Sequence, residues 1–115
     1  MIYHICQKSR WEEGKARGAY EADTLKAEGF MHASTINQVI GVANAVFTGQ
    51  TNLVFLVIDE AKLVNELKYE TASNGEAYPH LYGTLNPDAV VKEIDYAAGA
   101  DGVFVLPDLS AARLP

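Results

Sequence analysis

Apolar positions follow two different rhythms along this chain, and each rhythm predicts a different element. Ile2 to Cys6 alternates as a strand, with Ile2, His4 and Cys6 on one face and Tyr3 and Ile5 on the other. Ser9 followed by Glu12 has capping-box spacing, which predicts a helix from Arg10 to Arg17 stopped by Gly18. Between Asp23 and Gly29 a single helical turn is expected, opened by the aspartate and closed by the glycine. Ile36, Val39, Ile40, Ala43, Val46 and Phe47 recur at helical spacing, so a helix is expected over residues 35–47, with Gly49 beyond it as the stop. Leu53 to Ile58 is a continuous apolar run, the pattern of a strand buried on both faces at the centre of a sheet. Asp59 is placed to cap a turn running to Lys62. Leu67 to Glu70 and Val90 to Tyr96 read as further strands, and Gly102 to Leu106 as a last one. Tyr78 to Gly83 is expected to begin as a loop or edge segment, because Pro79 cannot donate to a sheet ladder.

The elements sum to an α+β fold of about six strands and two principal helices. The strands are mostly not separated by helices, which disfavours a doubly wound parallel sheet. One domain is expected over residues 1–106, with a loosely packed tail over 107–115. A composition 49% hydrophobic and 21% charged is that of a globular protein. Cys6 is the single cysteine, so no internal disulfide can form and a zinc finger is excluded. Tyr3, His4 and Gln7 interrupt any apolar leader, and the run Leu53 to Ile58 is far too short to span a bilayer. A cytoplasmic protein without a membrane partner is the expectation. A net charge of -6 repels a polyanion spread over a broad surface, which disfavours duplex nucleic acid. Lys8, Arg10, Lys15 and Arg17 nevertheless crowd one short window, enough positive charge for one small phosphorylated ligand or, alternatively, a solvated helix face.

Candidate chemistry gathers around Gly29-Phe30-Met31-His32-Ala33-Ser34-Thr35, which carries a histidine from a strand into a helix start. Ser34 and Thr35 can cap that helix, Thr35 with Gln38 having capping-box spacing, and a helix N-terminus favours an anionic ligand. The competing reading puts Phe30 and Met31 in the core and gives His32 a hydrogen-bonding role only. His4 and His80 are the other two histidines, each also beside a strand-like segment, and imidazoles suit proton transfer, phosphate contact or metal ligation. Ser34 and Thr35 as donors, Tyr82 just past His80, and Glu70 at a strand end complete a plausible pocket. Trp11 either packs its helix on the sheet or walls that pocket, and Tyr20 stands at the start of the segment leading back to it. Three histidines from separate strands would also suit a metal-dependent hydrolase. No Gly-x-Ser-x-Gly elbow, no phosphate-binding loop ending in Gly-Lys-Ser/Thr, and no Gly-x-Gly-x-x-Gly fingerprint occurs, which removes the common hydrolase, kinase and Rossmann readings.

Together, Tyr3-His4, Trp11, Gly29 to Thr35, Lys68-Tyr69-Glu70 and Pro79-His80-Leu81-Tyr82-Gly83 resemble the bacterial domain-of-unknown-function family 952, from Ile2 to about Tyr96. Met31 stands where that family usually has isoleucine or valine. The resemblance implies an ADP-ribosyltransferase-like split sheet, mixed or antiparallel, around an NAD site. By that likeness His4 takes the first-strand position, His32 to Thr35 the second, and His80 or Tyr82 the third. No glutamate stands in Pro79 to Gly83, a departure from the toxin pattern. The histidines instead resemble the RNA 2′-phosphotransferase branch, which also consumes NAD, although the acidic charge argues against RNA. The resemblance thus implies a small-molecule nucleotide-type ligand, with NAD as substrate and no metal. His32, His80 and Tyr82 would be catalytic, and His4, Trp11, Tyr20, Ser34, Thr35 and Glu70 would bind. A non-catalytic nucleotide-binding module using the same pocket is the alternative.

Overall fold

The computed structural model describes residues 1–110, and they form two three-stranded antiparallel sheets with few helices. In chain order the elements are β1 (Ile2–Gln7), α1 (Lys8–Arg17), α2 (Thr24–Glu28), β2 (Met31–His32), α3 (Val39–Val46), β3 (Leu53–Ile58), β4 (Glu66–Thr71), β5 (Ala77–Tyr82) and β6 (Val90–Tyr96). One sheet has the order β1-β3-β6, the other β2-β5-β4. As its unbroken apolar run requires, β3 is central and every one of its residues is buried. The alternation in β1 divides the core in two. Ile2 and Cys6 pack with Trp11, Tyr20, Met31 and Leu81, while Tyr3 and Ile5 pack with Val39 and Ala43 of α3 and with Phe55. The two sheets meet where Tyr3 and Ser34 exchange backbone hydrogen bonds of 2.8 Å in both directions.

Several sequence expectations need correction. Helix α1 starts at Lys8, with Gln7 as its N-cap and no side-chain cap, so Ser9 lies inside it. Gly18 ends it as expected, in the left-handed region at φ 81°. Asp23 makes no side-chain cap either; the neighbouring Thr24 hydroxyl instead donates to the Phe30 carbonyl at 2.9 Å. The regular part of the third helix covers Val39–Val46 rather than 35–47, because the chain first makes a turn at residues 36–38. Half of its capping box does form, the Thr35 N–H donating to Gln38 Oε1 at 3.0 Å.

Pro79 lies in β5, the middle strand of its sheet, and not in a loop or edge. Its carbonyl accepts from Ala33 N–H at 3.0 Å, so its nitrogen faces the same side, where the two-residue β2 has already ended. No ladder bond toward β4 is lost. Gly102 to Leu106 is not a strand. Side chains hold its backbone: Asn44 bonds both the N–H and the carbonyl of Phe104, and the Tyr96 hydroxyl donates to the Val105 carbonyl. In the expected tail, Leu109 packs against the core beside β6; residues 111–115 lie outside the described residues.

Candidate functional site

The two periods of β1 and β5 set the geometry of a cleft between the sheets. β2 and β5 pair antiparallel with His32 directly opposite His80, which puts both imidazoles on one face of that sheet, ring centroids 5.1 Å apart. The alternation that buries Met31 turns Phe30 toward the His32 side. Phe30 stacks on His80 at 4.0 Å with an interplanar angle of 17° and also touches His32 and Tyr82. From the other sheet, His4 reaches across so that its Nδ1 lies 2.6 Å from the His32 carbonyl oxygen. The three histidines, far apart in sequence, line one cleft of about 590 Å³ together with Ser34 and Tyr20.

The hydrogen bonds assign a state to each ring. A carbonyl only accepts, so His4 Nδ1 carries the proton, and Nε2, 3.1 Å from the Tyr20 hydroxyl, accepts from it. Burial holds the His4 imidazole neutral, with its pKa lowered from 6.5 to about 4. Burial also pushes the Tyr20 hydroxyl well above its ordinary range and raises the Cys6 thiol to about 11, so Cys6 is a core residue and not a nucleophile. His80 differs. Its Nδ1 donates to Glu70 Oε1 at 2.8 Å, leaving Nε2 with no partner among the described residues. The Tyr82 hydroxyl donates to the same oxygen at 2.5 Å. These two bonds, the tyrosine's first, hold the Glu70 carboxyl below its usual range, and Glu70 in turn raises Tyr82. His32 is half exposed and its Nε2 lies 3.0 Å from Glu28 Oε1.

Other expected site residues fall elsewhere. Glu70 and Tyr82 stand behind His80 as its support and do not line the cleft. Trp11 is 1% exposed and packs edge-on against Tyr20, so it belongs to the core. Thr35 is outside the cleft, and its N–H is already taken by Gln38, whose amide also reaches the Glu76 carboxylate and the Ala77 carbonyl. The Thr35 N–H is therefore not open to an anion. A three-histidine metal site also fails, because both nitrogens of His4 are engaged; among the described residues no group of three or more His, Cys, Asp or Glu is arranged to hold a metal.

Of the four clustered cations, Lys8, Lys15 and Arg17 pair with Asp95, Glu93 and Glu13. Arg10 bonds only the Glu21 carbonyl and lines the cleft, as do Asp23 and Gln7. Sequence reasoning did not single out Phe30, Asp23 or Gln7 as site residues. For Phe30 a signal existed, since a buried Met31 implies that both its neighbours face the other way.

The family model described as protein of unknown function (DUF952) matches residues 5–93. No curated protein matches the chain. Among solved structures, the X-ray structure of protein CC0527 from Caulobacter crescentus is 38% identical, with a TM-score of 0.84, covering 91% of this chain and 93% of that one. The solution NMR structure of the same Caulobacter protein gives 38% identity and a TM-score of 0.77, covering 89% of each chain.

Proposed function

The chain belongs to the DUF952 family, and from that premise we propose that its histidine-lined cleft binds a nucleotide-type ligand of the NAD or ADP-ribose class. The observation that carries the reading is His80: Glu70 fixes its Nδ1–H, and its unpartnered Nε2 belongs to a ring that lines a cleft shared with His32 and His4. A cleft of about 590 Å³ falls within the size range of ligand sites. Arg10, without a carboxylate partner, supplies the charge that a pyrophosphate needs, and the apolar remainder of the walls suits a ribose or a base. The resemblance to ADP-ribosyltransferase-like proteins that the sequence implies supports the same ligand class. In a transfer reaction His80 Nε2 would accept the proton of the attacking group while Glu70 keeps the ring in register. Without chemistry, the same contacts serve a binding module.

Calorimetric titration with NAD and with ADP-ribose tests this. Saturable binding that is weakened at least tenfold in Arg10→Ala and in His80→Phe is the expected result. Failure of both ligands to bind the wild type overturns the reading. Release of nicotinamide from NAD, followed in wild type and Glu70→Gln, separates the enzyme from the binding module.

A further inference from the structure

β1 is an edge strand whose outer side is only partly covered. Tyr3 directs both backbone groups outward to Ser34. Successive residues of an antiparallel ladder alternate between facing the partner and facing away. Ile5 and Gln7 therefore point the same way as Tyr3, whereas Lys8 faces β3 and donates to the Asn52 carbonyl at 2.8 Å. Among the described residues, the N–H and carbonyl of Ile5 and the N–H of Gln7 have no hydrogen-bond partner, while the Gln7 carbonyl, at the N-cap of α1, accepts the first bond of that helix. The segment through Ser34 stops covering this edge because the chain turns at Thr35 toward α3, and the cleft occupies the space it vacates.

The three outer strands of the two sheets with four or more residues differ in charge. β4 carries Glu66, Lys68 and Glu70, and β6 carries Lys92, Glu93 and Asp95, the kind of decoration that discourages a foreign strand. β1 has no charged residue from Ile2 to Gln7. Its two walls also differ. On the Tyr3 and Ile5 side α3 and its end present Val42, Val46 and Phe47 to the cleft; on the other side stand Asp23, with no hydrogen bond or ion pair among the described residues, and Arg10, which bonds the Glu21 carbonyl.

We propose that β1 is a docking edge for an extended peptide of alternating apolar and basic residues, which adds as a strand opposite Ile5 and Gln7. Ile5 offers a donor and an acceptor and Gln7 a further donor at the two-residue repeat of an extended backbone. Alternate side chains of the added strand then fall on the apolar wall and on the Asp23 wall. The net charge of -6 favours the basic ones. This inference does not rest on the nucleotide reading: it is argued from the open backbone edge of β1, whereas that reading is argued from His80.

The test uses an acetylated, amidated hexapeptide alternating lysine and valine, titrated into the full chain by calorimetry. Gln7 has φ -64°, already suited to proline, and its N–H is outside the β3 ladder, so Gln7→Pro deletes one cleft-facing donor without touching the sheet. Saturable binding retained in Gln7→Ala and weakened at least tenfold in Gln7→Pro is expected. A peptide N-methylated at its valines should lose binding to wild-type protein by a similar factor, which keeps the test independent of how the proline variant folds. A block peptide of three lysines followed by three valines should bind at least tenfold more weakly than the alternating one. Equal binding by block and alternating peptides, equal binding by Gln7→Ala and Gln7→Pro, or no saturation of wild type overturns the proposal. ADP-ribose titrated into wild-type protein without peptide, and the peptide titrated into His80→Phe, should each give its own outcome, so the two readings fail separately.

Discussion

At the scale of single residues, the two best-placed histidines make opposite demands. His4 is folded in as a neutral ring, its pKa lowered from 6.5 to about 4. The unfolded chain therefore takes up a proton first as pH falls, and the stability from His4 is complete above about pH 6.5 and is lost progressively toward pH 4. The full difference is at most roughly 3 kcal/mol. Urea unfolding measured from pH 7 to pH 4 should give a steeper loss for wild type than for His4→Gln; Glu70, whose carboxyl is held low, adds the same acid-side loss to both and cancels from the comparison. His32 lies at the other extreme, its side chain 49% exposed and paired only with Glu28. His32→Ala and His32→Asn should each change stability by no more than about 0.5 kcal/mol, the range of surface substitutions. Both should nevertheless lose affinity for ADP-ribose, as calorimetry of the folded variants would record; unchanged affinity would remove His32 from the site. The exposure of His32 was legible in the sequence only by way of Met31, whose complete burial forces its neighbours outward.

Elements show where local signals decide structure and where they do not. Gly14 sits in α1, where alanine is intrinsically better than glycine by about 1 kcal/mol. A Cβ at Gly14 would lie 2.7 Å from the Cα of Tyr20, a backbone atom pinned by its bridge to Leu85. Gly14→Ala should therefore destabilise by roughly 1–3 kcal/mol, overpacking outweighing propensity, as thermal unfolding would measure. Nothing in the run Gly14-Lys15-Ala16 announces this contact, because Tyr20 reaches it only after the chain has turned at Gly18. Leu53 to Ile58 was readable for the opposite reason, since burial on both faces leaves its mark on every residue. Val103 to Leu106 carries the same kind of composition without being a strand. Val103 and Val105 are exposed, and it is Asn44 that satisfies the backbone of Phe104. Asn44→Ala should release this segment, costing about 1–3 kcal/mol for the two lost bonds and bringing faster proteolysis between Ala97 and Leu106.

For the whole molecule, helix and strand content were legible from periodicity, and the division into two sheets was not. That division depends on Pro79 lying beside a strand only two residues long, and on one residue pair, Tyr3 with Ser34, joining the sheets; neither fact has a period to read. The convergence of the histidines was legible only through the family resemblance, because it follows from the register that sets His32 against His80 and not from any spacing. The strand order also has a temporal side. β4 and β5 are joined by a short turn at Ser73-Asn74-Gly75, so they can close as a hairpin on their own. The other sheet contains no hairpin at all: β3 must find Ile2 to Gln7 from one end of the chain and Val90 to Tyr96 from the other. Those closures surrender chain entropy before they gain contacts, which places folding in the slower, millisecond-to-second class of small domains. The cleft needs both sheets, so bringing the three histidines together depends on closing these long stretches of chain.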